Sequence, residues 1–407
     1  MTLTNNKQTR KKWLIFFLVF PQIRPTSIVT LFPFISTLYT LGSIVSFVFV
    51  ALFLVTTKKL KFHLTTVLII AMELWIFFVT VIHKSQSISN NLFSFISSIA
   101  IPLIIYYYSD SMDELLSALM MNYEWLMYAS LISIIMFFPN GMYISGNARQ
   151  YFLGNENGIV FYAIPAMFLA FIHIKRKRRY FRGVILIAVC LANEIIVWCA
   201  TAVVGIAVSG LLIIISARKK KMISYFTVFL GTLVADVLIT IVRLFDRFWF
   251  TLYLIQEVLG KSLTLSRRTF IWDNALSLIP SCLGSGMGRG DHVLFRETYF
   301  HAHNEFFQIL LVGGIPLLII FFILLIHIGK VINKNNHVSF SRMMVMAMMT
   351  CLLIQFIATS RLTFRLYVPL MLGSYVNEID RLIIGCSPQK RLKSVRLRLS
   401  SIKNLRC

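Results

Sequence analysis

The sequence predicts an all-α membrane protein, a polytopic transmembrane bundle of about twelve helices with one large external loop. Of the 407 residues, 57% are hydrophobic and only 14% are charged, and the mean hydropathy is +0.77. A soluble domain carries about a quarter charged residues. Apolar runs such as 67–82 and 315–328 approach the roughly 20 residues that cross a bilayer. The composition therefore excludes an ordinary soluble fold.

The predicted spans are the apolar stretches between charged or turn-forming segments. The stretch 183–217 is too long for one span, so we expect it to fold back near Trp198–Ala200. The apolar run 13–20 lacks a small-residue cleavage site, and we interpret it as part of a first membrane segment, not as a removed signal peptide. In chain order the spans lie near residues 13–29, 31–56, 62–82, 90–108, 119–138, 159–174, 183–198, 201–217, 222–242, 305–329, 343–360 and 362–379.

The charges indicate how the chain is threaded through the membrane. The formal net charge is +24, from 40 Lys and Arg against 16 Asp and Glu. Cytoplasmic loops of membrane proteins collect Lys and Arg, and with both termini cytoplasmic, 28 of the 40 basic residues fall on that side. They include the blocks 175–179 and 218–221 and the tail 390–406. We interpret these runs as topology anchors that contact anionic lipid, and we expect no nucleic-acid partner.

This topology divides the chain into four parts. The loop 243–304 is by far the longest segment outside the predicted membrane, is rich in aromatic residues and contains helical pieces such as Phe270–Ile279. Long ordered loops are usually functional, so we expect a cap over a membrane cavity. The parts are an N-terminal membrane bundle (1–242, with external loop 139–158), the external catalytic loop (243–304), the C-terminal membrane helices (305–379) and a basic cytoplasmic tail (380–407).

The long loop carries side chains suited to an anionic substrate. Arg267, Arg268 and Arg289 could bind phosphate oxygens with paired donors, or could contact lipid headgroups. The glycine-rich run 284–290 could bring backbone N–H groups to an anion, or could only form turns. His303 precedes a membrane helix and could act as a base near neutral pH, or could be structural. Together these residues suit a phosphate-bearing, lipid-linked substrate.

Ionisable residues inside apolar segments form a second group of candidates, because such residues are costly in a membrane and often functional. Glu194 and Arg365 lie near the predicted outer face and could line the cavity. Glu73 and Asp236 could equally pair within the bundle. None of the six cysteines forms a CxxC or zinc spacing, which argues against a disulfide framework or a cysteine metal site.

Between Arg268 and Phe322 a series of short motifs follows one another. They are Arg268, Ile271-Trp272, Ala275-Leu276, Pro280, Gly284, Gly286, His303-Asn304 and Gly314. This pattern resembles the signature region of the O-antigen ligase/polymerase superfamily, which includes Wzy-type polysaccharide polymerases. The ligase branch expects Gly, Thr or Tyr three residues after Gly314, and Leu317 departs from that pattern, which favours the polymerase branch.

The segment Arg149–Asn157 similarly resembles the superfamily's "Arg…Gly…Asn-x-Asn" approach to a membrane helix. The superfamily's Ser-Arg-Thr-Ala reads Cys199-Ala200-Thr201-Ala202 here, so the arginine is absent and no role carries over. The candidate catalytic residues are His303, Arg268 and Arg149. The candidate substrate-binding residues are Arg267, Asn304, Arg289, Asn157 and Arg365.

The resemblance implies a membrane glycosyltransferase that joins undecaprenyl-diphosphate-linked oligosaccharide repeat units on the outer face of the bacterial cytoplasmic membrane, for capsule, exopolysaccharide or O-antigen. The nucleophile would be a sugar hydroxyl, and arginines would neutralise the departing diphosphate. No cofactor is expected and no metal is needed, although Asp291 and Glu297 could make weak metal contacts. Membrane lipid, a flippase and a chain-length regulator would be partners. The alternatives are a ligase, or a flippase whose expected internal repeat the sequence lacks.

The topology predicts which positions can be labelled from outside the cell. In a background without native cysteines, Ser285→Cys should react with an impermeant maleimide in intact cells, because it lies in the predicted external loop. Ser394→Cys, in the predicted cytoplasmic tail, should react only after permeabilisation. External labelling of Ser394→Cys but not of Ser285→Cys would overturn the orientation.

Overall fold

The all-α fold class is confirmed. The computed structural model describes residues 2–145, 148–177, 180–244, 253, 268–290, 301–334, 338–360 and 364–385. Within these residues it contains fifteen α-helices and one short β-hairpin, β1 (Tyr143–Ser145) antiparallel to β2 (Ala148–Gln150). The predicted basic tail beyond Gly385 lies outside the described residues, as do 245–252, 254–267 and 291–300 of the predicted external loop.

In chain order the α-helices are α1 (Thr2–Val19), α2 (Thr26–Leu31), α3 (Pro33–Thr56), α4 (Leu64–Ile82), α5 (Ile88–Tyr107), α6 (Met112–Phe137), α7 (Glu156–Lys177), α8 (Tyr180–Ile196), α9 (Ala200–Lys219), α10 (Tyr225–Thr240), α11 (Arg268–Cys282), α12 (Glu305–Asn333), α13 (Phe340–Ala358), α14 (Phe364–Ser374) and α15 (Val376–Gly385).

The membrane-spanning helices form one bundle. Eight of the described helices, namely α3, α4, α5, α6, α7, α9, α12 and α13, are long and apolar enough to cross a membrane, and α10 is a shorter apolar helix. Helices α7 and α13 are largely buried, whereas α3 and α9 expose most of their surface. The bundle is therefore centred on α7 and α13, which also pack against each other.

Two predicted spans are divided in the structure. The first, 13–29, consists of α1, a 3₁₀ turn at Phe20–Gln22 and the short helix α2. Pro21 lies within that turn and Pro25 directly precedes α2, and a proline removes a backbone donor and ends a helix. The last, 362–379, is replaced by α14 and α15, which meet at Tyr375. The predicted fold-back within 183–217 is present, because α8 ends at Ile196 and α9 begins at Ala200.

Helix α12 is broken inside its apolar part, at Gly314. The backbone there has φ 64° and ψ −163°, which no helical residue adopts, and only glycine visits such a conformation readily. A break inside a membrane exposes backbone groups that lipid cannot satisfy. Here the carbonyl of Gly313 accepts a hydrogen bond from Trp75 Nε1 at 2.7 Å. The carbonyls of Leu311 and Val312 accept from other residues.

Those partners come from residues 283–290, the glycine loop that follows α11. The N–H of Met287 donates to the carbonyl of Leu311 at 2.8 Å, and the N–H of Gly288 donates to that of Val312 at 2.9 Å. In return, Ile315 N–H donates to the carbonyl of Leu283 at 2.8 Å. The glycine loop therefore pairs with the broken helix backbone to backbone, on both sides of Gly314.

A small hydrophobic cluster fixes α11 beside α12. The indole of Trp272 is 1% exposed and packs with residues from the start of α12. The buried members of this cluster are Trp272, Ala275, Ile279, Cys282, Ala302, Phe307 and Leu311. The predicted helical piece 270–279 of the long loop thus exists, as a longer helix with its own apolar contacts.

The opposite end of the bundle is held by charge pairs. Asp113 at the start of α6 forms ion pairs with Arg176 (3.1 Å) and Lys177 (2.6 Å) at the end of α7. Lys59 pairs with Asp110 at 2.7 Å, and Arg342 lies 4.0 Å from Asp380. These four basic residues, which the sequence assigns to the cytoplasm, therefore lie at one end of the bundle, together with the start of α6 and the end of α7.

The pairing at Gly314 predicts that alanine destabilises the protein at Gly286 but not at the nearby Gly284. An alanine at Gly286 would place its Cβ 2.4 Å from the carbonyl oxygen of Val312, at a φ of +78°. Gly286→Ala should cost about 1–3 kcal/mol in backbone strain and a similar amount in overpacking, seen as a lower melting temperature in detergent. Gly284→Ala is the matched control, because nothing lies within 4 Å of a Cβ there. Equal stability of the two variants would contradict the pairing.

Candidate functional site

A polar network joins α11 to the start of α7. Arg268, the first residue of α11, donates from Nη2 to Oδ1 of Asn157 at 3.4 Å. The amide of Asn157 also donates from Nδ2 to Oε1 of Glu156 at 3.2 Å. The structure thus brings together two of the residues that the sequence nominated, Arg268 and Asn157, although 111 positions separate them in the chain.

The same network extends into the fold-back between α8 and α9. The thiol of Cys199 lies 3.8 Å from Oδ1 of Asn157 and 3.5 Å from Oγ1 of Thr201. Thr201 in turn donates to Oε1 of Gln355, near the end of α13, at 2.9 Å. The segment 199–202, to which the sequence assigned no role, therefore lies directly beside the Arg268–Asn157 pair.

The His303-Asn304 pair forms the start of α12. Asn304 is fully buried and caps the helix, because its Oδ1 accepts from the N–H of Phe307 at 3.0 Å. Its Nδ2 donates to Asp236 at 2.6 Å and to the carbonyl of Ile357 at 3.4 Å. His303 has a left-handed backbone (φ 51°), and its ring packs edge-on against His301 with centroids 4.1 Å apart. Such strained positions concentrate at functional sites.

The two groups share one end of the bundle, which we call the site end. Gln355 contacts the Arg268 network through Thr201, and Ile357, two residues further along α13, contacts Asn304. The starts of α7, α9, α11 and α12 and the ends of α10 and α13 therefore meet at the site end. The segments predicted to be external contribute most of its polar side chains.

Arg289 reaches into the bundle. Its Nη2 lies 3.3 Å from both carboxylate oxygens of Glu73, a fully buried residue of α4, which also accepts from the hydroxyl of Tyr367. Glu73 and Asp236, the two acidic residues predicted to be functional or paired, thus both have partners, Arg289 and Asn304 respectively. In each case the partner belongs to or borders the predicted external loop.

Four consecutive backbone N–H groups of the glycine loop are occupied by protein acceptors. Gly286 N–H donates to the carbonyl of Cys282 at 2.8 Å, and Arg289 N–H donates to Oγ1 of Thr80 at 2.8 Å. Met287 and Gly288 donate to α12, as described above. Because the donors of residues 286–289 are used within the protein, they argue against the interpretation of this part of 284–290 as a phosphate cradle. Gly286 and Gly288 instead permit a close approach between backbones.

Of the remaining candidates, the structure describes Arg365 and Arg149. Arg365 is buried, donates to Thr26 and holds its guanidinium 5.0 Å from the centre of the Tyr162 ring. Arg149 is exposed on β2, opposite Ile144, with no hydrogen bond or ion pair to any residue that the structure describes. Arg267 lies outside the described residues, as do Asp291 and Glu297.

Sequence reasoning missed three residues of the network, Glu156, Cys199 and Gln355. A signal was present for Glu156, because it stands between the two asparagines of the motif Asn155-Glu156-Asn157. Glu194, which the sequence placed near the outer face, is 1% exposed, and neither carboxylate oxygen has a hydrogen-bond partner among the described residues. The roles of Cys199 and Gln355 depend on packing, which no local pattern reveals.

The electrostatics of the network favour an anion at Arg268. Burial lowers the pKa of the Arg268 guanidinium, and the neighbouring Cys199 and Glu156 raise it. An arginine stays charged under such shifts, and a charge with little water around it attracts an anion more strongly. Within the described ranges, no three His, Cys, Asp or Glu side chains are grouped to hold a metal ion.

The fold and the site together define a multi-pass helical membrane protein whose polar residues gather at one end of the bundle. Residues 199–322 match the family model described as O-antigen ligase, which confirms the resemblance to the O-antigen ligase/polymerase superfamily. The match supports a glycosyltransferase-like membrane enzyme that acts on lipid-linked oligosaccharides. It covers less than a third of the 407 residues, yet contains Arg268 and His303. Comparison with curated proteins gave no significant match.

The Arg289–Glu73 pair predicts a compensating double substitution. Arg289→Met leaves the fully buried Glu73 carboxylate uncompensated and should cost about 3–5 kcal/mol of stability. Glu73→Met should cost less, because the Arg289 side chain is 23% exposed. The double variant should regain most of the loss, measured by thermal unfolding in detergent. A double variant as unstable as Arg289→Met would contradict the pair. If the double variant is stable but inactive, the pair is confirmed and Arg289 also acts on the substrate.

Proposed function

We propose that this protein is a polysaccharide polymerase, a membrane glycosyltransferase that joins undecaprenyl-diphosphate-linked oligosaccharide repeat units. The reaction would take place on the outer face of the bacterial cytoplasmic membrane and would serve capsule, exopolysaccharide or O-antigen synthesis. The observation that carries the proposal is the Arg268–Asn157 network, which shares the site end with His303-Asn304. Arg268 and His303-Asn304 lie within residues 199–322, which match the family model described as O-antigen ligase.

The chemistry follows from what these side chains can do. The hydroxyl of the incoming unit would attack the anomeric carbon of the growing glycan, and the polyprenyl diphosphate would leave. Arg268, with Arg267 and Arg149, would neutralise the charge that builds on the diphosphate, usually the largest electrostatic contribution to such a reaction. His303 would position or deprotonate the hydroxyl. Because arginines supply the positive charge, we propose that no metal is needed.

The choice of polymerase over ligase rests on the sequence. Leu317 occupies a position where the ligase branch expects Gly, Thr or Tyr, whereas the match in itself suits either activity. A polymerase would act with a flippase that delivers the units and a regulator that sets chain length. With both termini cytoplasmic, the basic end of the bundle would face the cytoplasm and the site end the outer leaflet.

A deletion strain complemented with variants tests this function through the length of the glycan. The strain alone should accumulate single repeat units, and the wild-type gene should restore polymer. His303→Ala should reduce polymer strongly at unchanged protein level, whether His303 positions or deprotonates the hydroxyl. Arg268→Lys should recover only part of what Arg268→Ala loses, because lysine keeps the charge without the planar fork.

His301→Ala is the internal control, because His301 contacts His303 but lies outside the His-Asn motif. Its effect should be mild. If His301→Ala abolishes polymer and His303→Ala does not, the assigned histidine is wrong. Full-length polymer retained on the lipid carrier in the deletion strain would indicate a ligase. Units retained on the inner leaflet would indicate a flippase.

A further inference from the structure

Glu156 has a place in the site that its position in the sequence does not reveal. It is the first residue of α7, and its side chain is partly exposed at the site end. Asn157 donates to one of its carboxylate oxygens at 3.2 Å and, through the other side of the same amide, accepts from Arg268 at 3.4 Å. One asparagine amide thus holds a carboxylate and a guanidinium.

The amide keeps these two opposite charges apart. Glu156 and Arg268 form no ion pair with each other, although the charge of Glu156 acts on Arg268. A direct pair would occupy the paired donors of the arginine and the acceptor oxygens of the glutamate with each other. Separated by Asn157, the guanidinium can bind an anion while the carboxylate accepts a hydroxyl beside it. A sugar diphosphate about to receive a hydroxyl nucleophile presents this combination of groups.

The acidic side of the site continues inward to Glu194. Its carboxyl group is fully buried without a hydrogen-bond partner among the described residues, and it interacts electrostatically with Glu156. Burying such a group costs about 1–3 kcal/mol or more, so fold stability does not explain it. The charged and titratable groups around Glu156 are Arg268 of α11, Glu194 of α8, Cys199 of the fold-back and Tyr151 of its own loop.

We propose that Glu156 is a further catalytic residue of this site and takes the proton of the acceptor sugar's hydroxyl. The proposal rests on the function proposed above. As the hydroxyl oxygen bonds to the anomeric carbon, the bond from that carbon to the diphosphate oxygen breaks and its electron pair stays with the diphosphate beside Arg268. The hydroxyl proton passes to the Glu156 carboxylate and then to water. His303, at the start of α12, then positions the acceptor and does not take its proton.

A purely structural role for Glu156 predicts different behaviour. An acidic residue in the first turn of a helix stabilises the helix dipole by about 0.3–1 kcal/mol. That role would be served by any negative charge there, and its loss would lower stability without lowering kcat. The discriminating variant is Glu156→Gln, because the glutamine oxygen still accepts from Asn157 while the basic group is gone.

The experiment uses the full-length protein in lipid nanodiscs with polyprenyl-diphosphate-linked repeat units as substrate. We expect Glu156→Gln to lower kcat by about 10²–10⁴-fold with KM changed only a few-fold. Glu156→Asp retains a carboxylate, so it should recover part of the rate that Glu156→Gln loses.

Glu114→Gln is the matched control, since Glu114 is also a partly exposed first-turn glutamate, on α6 at the opposite end of the bundle. Its kinetics should equal those of the wild type. A wild-type kcat in Glu156→Gln, or a loss of which Glu156→Asp recovers nothing, overturns the role of Glu156 while the polymerase function stands. Failure of the wild-type protein to join units at all counts against the polymerase function, and the role of Glu156 fails with it.

Discussion

The break of α12 at Gly314 is the constraint on which the site end depends. A membrane helix can be interrupted only where the freed backbone groups find partners inside the protein. Here Trp75 and the glycine loop are those partners, and each is positioned by another helix. Trp75 belongs to α4, and the glycine loop follows α11, which packs on α12 through Trp272. The interruption thus ties three elements together.

This constraint explains why ionisable residues are tolerated inside the bundle. Glu73 lies about two helical turns before Thr80, the residue of α4 that accepts from the glycine loop, and its partner Arg289 directly follows Gly288. The backbone pairing brings the guanidinium to the carboxylate, and the charge pair in turn fixes the end of the loop. Asp236 is also paired, at the start of α12, where it accepts a hydrogen bond from the helix cap Asn304.

Much of the fold could be predicted because a long apolar run identifies a membrane helix. The fold-back at 197–199, the helix within the long loop and the gathering of basic residues at one end all follow from hydropathy and charge. The division of the first span could have been predicted too, since Pro21 and Pro25 flank Arg24. Apolar length alone predicts one continuous span there, because it takes no account of the backbone donors that the two prolines lack.

The site could be predicted only in part, because its defining contacts join residues far apart in the chain. Arg268 and Asn157 each stand in a recognisable motif, and so does Asn304. Nothing in the sequence indicates that Arg289 contacts a residue 216 positions earlier, or that the glycines serve backbone pairing. The Glu156 carboxylate was overlooked because it occupies the variable position of Asn-x-Asn, where a motif offers no reason to look.

The outer part of α12, from Glu305 to the break, is only about nine residues long. An isolated helix of that length is marginal in water, so its order derives from the Asn304 cap and from the partners along its side. The loop and the first turns of α12 therefore form one structural unit across the predicted boundary at residue 304, and this unit runs on to Ile315, whose N–H donates to the carbonyl of Leu283. Chimaeras that exchange this loop between related enzymes would have to carry the first turns of the following helix with it.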